Sequence, residues 1–443
     1  MGASMLHIAA QAFDASDGTA VAERRHMHQP SSLLALLAIS WSATACAPSQ
    51  SHGADGGVED AGAEVDAVDA ATRTRPESPP PPPPCVTAAG MDFDGDGFPL
   101  ETDCNDCSAQ INPGAFDAAG NGVDEDCSGA DAVTDACDAD LPLSPDGAAD
   151  AARAIGLCRT ASGDADWGVI SARFTTADGR ADPWSPDQVG LLPSFGPANT
   201  PREGSRMLAL SSGAARAPGQ PGYTSACDVL EPDHGGSSYP PTFPQESGSC
   251  PGVSSGDVYD SVALEVTVRV PTNARGFSFH SSFFTFEYPG YICQEFNDFF
   301  AVLQRDDAGA WRNIVFDADT NPVSVNNALL RVCEAGTAGG KRFACPLGRA
   351  ALAGTGFGLD SECGYEGAVA DPDDPWAGDA GPEVGAGTGW LRTISPVTPG
   401  ELLTLRFTIW DSGDGTLDST ALVDGFAWEL DPVEETETVP DLI

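Results

Sequence analysis

The chain has 443 residues, 66 acidic side chains against 21 basic ones, and a formal net charge of -45. So negative a surface repels phosphate backbones and anionic headgroups, which argues against nucleic acid and for divalent cations as partners, although solubility alone accounts for the same excess. Hydrophobic residues at 41% and aromatic residues at 8% exclude wholesale disorder, and the length suits one large domain with appendages.

Residues 1–46 have the pattern of a targeting segment. Arg24 and Arg25 precede an apolar stretch from Leu33 to Ala45, as in a secretory signal whose start is Val21 or Met27. Ala43-Thr44-Ala45-Cys46 resembles a bacterial lipoprotein lipobox with Ala43 in place of the usual Leu. The resemblance implies lipidation at Cys46, and Ala47, which is not a retention Asp, points to an outer membrane lipoprotein or the cell surface. A signal-peptidase cut after Ala45 is the alternative. No other run reaches the roughly 18 apolar residues of a membrane span, so lipid is expected to be the only membrane contact. Residues 47–84, rich in Ala, Asp, Gly and Glu and ending in Pro79 to Pro84, are expected as a disordered linker. Its prolines form a stiff spacer of roughly 19 Å at about 3.1 Å per residue.

Thirteen cysteines become an even set once Cys46 is removed as a processing site. Scattered cysteines beside few histidines imply up to six disulfides and an oxidising compartment, with the pairing left open. Cys104 and Cys107 have the C-x-x-C spacing of a zinc site, but beyond the linker there are only two histidines, His234 and His280, and no second C-x-x-C.

Residues 85–131 hold the most specific pattern. Counting from Asp92, acids fall at positions 1, 3, 5 and 12 (Asp92, Asp94, Asp96, Asp103), with Gly97 at 6 and Phe98 offering a carbonyl at 7. Calcium takes about six to eight hard oxygens, and alternate side chains of a tight loop converge on one point where glycine permits the turn. Asp106, Asp124 and Asp126 extend the acidic set, so Ca2+ is the expected ion. A merely solvated acidic turn is the alternative.

The run from Asp92 to Phe98, Asp103-Cys104-Asn105-Asp106, Asn112-Pro113-Gly114-Ala115 and Asn121 to Gly129 together resemble the metal-binding repeat of myxobacterial and other envelope proteins. They are also similar in logic to thrombospondin type 3 calcium repeats. Ala119 stands where that repeat often has a cysteine, and Cys107 is present instead.

Beyond Asp131 the pattern turns to strands. Ser144, Pro145 and Asp146 start a short helix that Gly156 stops, between Cys137 and Cys158. Val262, Leu264, Val266, Val268 and Val270 alternate with polar or small residues, as do Leu403, Leu405, Phe407 and Ile409, which gives each strand one buried and one exposed face. Phe277 to Tyr288 is an aromatic strand or pair of strands. The expected fold is mainly β, a jelly-roll-like β-sandwich over residues 132–430 followed by an acidic tail, 431–443.

Segments of this domain resemble the choice-of-anchor L family of bacterial surface proteins: Arg206 to Gly213, Phe286-Glu287-Tyr288-Pro289, Phe296 to Phe300, Ile409-Trp410-Asp411, Asp418-Ser419 and Val423 to Phe426. The resemblance implies exposure at a cell surface and no particular chemistry. Glu287, Asn297 and Asp298, with Asp411, Asp414 and Asp418, form a candidate ligand or second metal site, against the plainer role of capping turns. Trp376, Trp390, Trp410 and Trp428 are sugar-stacking or core residues.

Enzyme motifs fail on context. Gly252-Val253-Ser254-Ser255-Gly256 matches G-x-S-x-G but leads from a Gly/Ser-rich loop into a strand, and a triad would need His280 from mid-strand. The expectation is a non-enzymatic, calcium-stabilised surface protein binding an extracellular glycan or protein. A glycosidase using a carboxylate pair such as Glu287 and Asp298, and a structural coat protein, are the alternatives.

Overall fold

The computed structural model describes residues 85–441 apart from 135, 164–165, 228–235, 307, 328 and 359–384. Cys46, the linker and Trp376 lie outside the described residues.

Alternating apolar and polar residues form β1 (Gly168–Thr175), β2 (Val189–Leu192), β3 (Met207–Ser211), β4 (Val258–Arg269), β5 (Gly276–Thr285), β6 (Phe299–Arg305), β7 (Trp311–Asn313), β8 (Val323–Ser324), β9 (Gly336–Ala338), β10 (Lys341–Phe343), β11 (Ala386–Gly387), β12 (Leu391–Pro396), β13 (Leu402–Ser412), β14 (Ser419–Glu429) and β15 (Glu437–Pro440). One sheet runs β1-β4-β13-β6-β7, with β8 also on β6. The other runs β15-β12-β5-β14-β3-β2, with β11 also on β5, and β9 and β10 form a separate hairpin. All these pairings are antiparallel. The chain changes sheet between β1 and β2, β3 and β4, β4 and β5, β5 and β6, β12 and β13, and β13 and β14, the connectivity of the expected jelly-roll-like sandwich.

The two inner faces share one apolar core. Val262 to Val268 on β4 and Leu403 to Ile409 on β13 meet Phe277, Phe279 and Phe283 on β5 at every second residue. Phe279 and Phe407 join the sheets edge to face, with centroids 5.3 Å apart. Phe277 to Tyr288 gives a single strand, β5, and a following turn.

Two expectations change. The outer faces of β4 and β13 are not simply exposed. Glu265 pairs with Arg406 and Arg173, and the Arg406 guanidinium lies 4.6 Å from the Trp311 ring centre. A charged residue buried at 9% exposure needs such partners. The segment 431–443 was expected as a tail, yet it supplies β15, which pairs with β12. The alternation Glu437, Thr438, Val439, Pro440 is too short to stand out as a strand. The short helix forms as expected, Ala148–Ala154, capped by Gly147 backbone rather than by a side chain, and Cys137 is bonded to Cys158.

Candidate metal centre

Residues 85–134 contain turns and no helix or strand. What shapes this module is the acid side chains themselves. Asp92 accepts the N–H groups of Gly95 (2.7 Å) and Gly97 (3.0 Å), bending the chain through two glycines with φ near +80° and +96°. Asp94 Oδ1 accepts from Asp96, Asp96 Oδ1 from Phe98, Asp103 Oδ1 from Asn105, and Asp106 Oδ1 from Phe93. In each of these four carboxylates the other oxygen, Oδ2, is buried with no hydrogen-bond partner. One oxygen holds the loop and one is left over.

These groups converge. Carboxylate oxygens of Asp94, Asp96 and Asp103 lie within 4.8 Å of one another, as do those of Asp92, Asp94 and Asp106, so Asp94 is common to both sets. Burial and then neighbouring carboxylates raise Asp94 above its ordinary value, and burial is likewise the main cause of the rise at Asp96. Phe98 sits in the same loop with its ring against Gly114.

Asp124 and Asp126 do not join this group. They gather with Asp117, again within 4.8 Å. Asp117 was missed by the sequence reading; its signal was the recurrence of acids at 117, 124 and 126 around Asn121-Gly122. Its Oδ1 is buried without a partner, and burial, then the Glu125 carboxyl, push it up to about 6.

Two disulfides pin the module, Cys85–Cys107 and Cys104–Cys127. The C-x-x-C sulfurs are therefore each committed to another cysteine, and Asp103, Cys104 and Cys127 gather without offering a thiolate. The module is seated on the sandwich through Asn273, whose side chain accepts from Phe116 N (2.8 Å) and donates to Phe116 O (2.9 Å) and Gln110 O (3.3 Å). Buried Asn112 accepts from Gly114 N and from the Thr272 hydroxyl (2.7 Å), and its side chain also reaches the Asp96 carboxylate. The Trp167 indole donates to Ala115 O at 2.9 Å.

The second predicted set lies at one end of the sandwich and is interior. Glu287, Asn297, Asp298, Asp411 and Asp418 are each at most 3% exposed, whereas Asp414 is exposed and caps Thr416 N. Glu287 Oε2 accepts from Asp298 N, and Asp298 accepts from Ser412 N (3.1 Å) and the Ser419 hydroxyl (2.6 Å). Asn297 Oδ1 accepts from Asn326 N at 3.1 Å. Burial raises Glu287 and Asp411 well above the carboxylate range and Asp298 to about 7. Segments spread from Ser211 to Ser419 thus meet here, since Ser211 and Ser212 bond Ser419 and Ser419 bonds Asp298.

Trp410 is core, packed on Phe299 and Phe243, and Trp390 and Trp428 are partly buried. Ser254 lies in an exposed loop ahead of β4, and His280 on β5 faces Asp441 at 3.4 Å.

Among known families, the model named Cu-binding_MopE, described as "Putative metal-binding motif", matches residues 103–132. The match takes in Asp103, Asp106, Asp117, Asp124 and Asp126 together with both halves of the Cys104–Cys127 bridge. No curated protein and no solved structure matches the chain.

Proposed function

We propose that the chain is a calcium-stabilised, exported binding protein, held at the cell envelope by lipid on Cys46, whose sandwich binds an extracellular glycan or protein. The observation that carries the metal reading is the set of four carboxylates, Asp94, Asp96, Asp103 and Asp106, each with one oxygen on a backbone N–H and the other buried and unpartnered. An all-oxygen donor set suits a hard cation such as calcium; copper prefers imidazole and sulfur, and here the nearby sulfurs are disulfides. Disulfides through both module and sandwich support an oxidising compartment. Binding rather than catalysis is favoured because Glu287 and Asp298, the carboxylate pair a glycosidase would need in an open cleft, are buried at 2% and 0% exposure.

Calorimetric titration of the full chain with Ca2+ and with Cu2+ tests this reading, beside an Asp94→Asn/Asp103→Asn variant. The expected result is calcium uptake that is diminished in the variant, with a calcium-raised melting temperature in the wild type. Equal calcium uptake by both proteins, or a preference for copper, would overturn it.

A further inference from the structure

The inward-facing rows of the sandwich change chemistry at one end. Along β13, Leu403, Leu405, Phe407 and Ile409 lie in the shared core, and the next residue of the same parity is Asp411. Along β6, Val302 and Phe300 are preceded by Asp298. Along β5, Phe279 and Phe283 lead to Thr285 and then Glu287. Leu208 and Leu210 of β3 lead to Ser212, and Val423 and Ala421 of β14 are preceded by Ser419. Register brings these ends together: Phe300 lies opposite Ile409, Thr285 opposite Ser419, and Ser211 opposite Thr420. The core is thus closed at this end by a layer of carboxylates and hydroxyls where the alternation calls for apolar side chains.

That layer lacks a counter-charge. Among the described residues no Lys, Arg or His pairs with Glu287, Asp298 or Asp411. Asp411 is 1% exposed and neither of its oxygens has a hydrogen-bond partner; the neighbouring Ser212 hydroxyl is engaged with Ser419. The Asp418 carboxylate faces the same space, pressed so close to Gly213 that a Cβ there would meet it at 1.6 Å.

We propose that this end layer is a second, enclosed site for a divalent oxygen-seeking cation such as calcium, bound by Asp411 and Asp298. A proton shared between Glu287 and Asp298 would satisfy that pair alone. It leaves Asp411 with the Ser212 hydroxyl, itself engaged with Ser419, as its nearest donor, and a buried unpaired carboxylate is strongly destabilising. A proton on Asp411 shared with Asp298 leaves the second Asp411 oxygen only that same Ser212 hydroxyl. A divalent ion engages both oxygens and removes the charge excess in one step. The site is separate from the module, shares no residue with it, and stands whether or not the module binds metal.

The test uses the full chain carrying Asp94→Asn/Asp103→Asn/Asp117→Asn, so that the module's sites are disabled, and compares it with the same chain carrying Asp411→Asn in addition. Bound calcium after dialysis and melting temperature in calcium and in EDTA are measured. The expected result is that the module-disabled chain retains bound calcium and melts higher in calcium than in EDTA. Adding Asp411→Asn abolishes both while leaving the melting temperature in EDTA unchanged or raised, because the substitution removes an unpaired charge. A module-disabled chain that binds no calcium overturns the proposal whatever the fourth substitution does, and so does retention of calcium after Asp411→Asn. A melting temperature that ignores calcium but climbs on acidification overturns it too, and assigns the neutralisation to protons.

Discussion

The module at 85–134 and the sandwich behind it are built by opposite rules. In the sandwich, strands pair, phenylalanines interlock across the sheets, and polar groups are exceptions that need explaining. In the module there is no strand, and the polar groups do the folding: carboxylates cap loop N–H groups and two disulfides cross-tie the turns. The difference teaches where a cation enters the energetics. The apolar rows of the sandwich need none, whereas in the module the caps made by Asp94, Asp96, Asp103 and Asp106 each leave a second oxygen without a partner, so the module's order is tied to what fills that space.

The largest expected effect sharpens this contrast from the sandwich side. Phe407→Ala removes a fully buried ring that spans the sheets and is expected to cost roughly 3–5 kcal/mol in urea unfolding. Calcium uptake by the folded variant should match the wild type; a loss of uptake would show that the two regions are not energetically distinct.

Next comes a place where the sandwich uses charge as the module does, but with its own cations. Burial works against the Glu265 carboxylate, yet the Arg406 and Arg173 guanidinium groups outweigh it and hold its pKa below the ordinary value. A lowered folded value means that the stabilisation is present above the unfolded value, about 4.3, and is lost as pH falls through the folded one. Glu265→Gln leaves Arg406 buried and uncompensated and is expected to cost about 3 kcal/mol at neutral pH, the lower end for a broken buried pair because Arg173 is largely exposed. The gap between variant and wild type should narrow below about pH 4. Denaturation curves at pH 7 and pH 3.5 measure it, and a gap that stays constant would deny the ion pairs their role.

How much was legible in the sequence follows the same division. The loop from Asp92 to Asp106 was legible because its chemistry is local: the spacing of acids and glycines within a dozen residues already says which oxygens converge. Asp124 and Asp126 were legible as ligand types but not as belonging elsewhere, because that depends on Asp117 and on how Cys104–Cys127 folds the chain back. The pairing itself was not legible, since spacing does not select among partners 22 and 23 residues apart. In the sandwich, alternation gave the inner rows of β4 and β13 but not the cover on their outer faces, which comes from Arg173 and Trp311 on distant strands. The residues Glu287, Asp298 and Asp411 stood out as polar among aromatics. Their burial in one layer was not legible, because it requires the registers of β3, β5, β6, β13 and β14 at once.

The smallest expected effect addresses the joint between the two regions, where the contrast is easiest to break. Asn273 is fully buried, and its one side chain replaces a strand partner for the module by bonding both the N–H and the C=O of Phe116. Asn273→Ala leaves those two groups and the Gln110 carbonyl unsatisfied, at an expected cost of about 1–3 kcal/mol. Asn112 ties Thr272 to the Asp96 loop just beside it, so the joint is also the route by which an ion in the module would be felt by β4 and β5. In scanning calorimetry with calcium the wild type is expected to melt in one transition that shifts with calcium. The variant should show a separate module transition that keeps its calcium dependence and a main transition that no longer responds to the module's ion. If the variant still melts as one unit with the full calcium shift, Asn273 is not the coupling element, and the module must communicate with the sandwich through Trp167 and the Ala115 carbonyl instead.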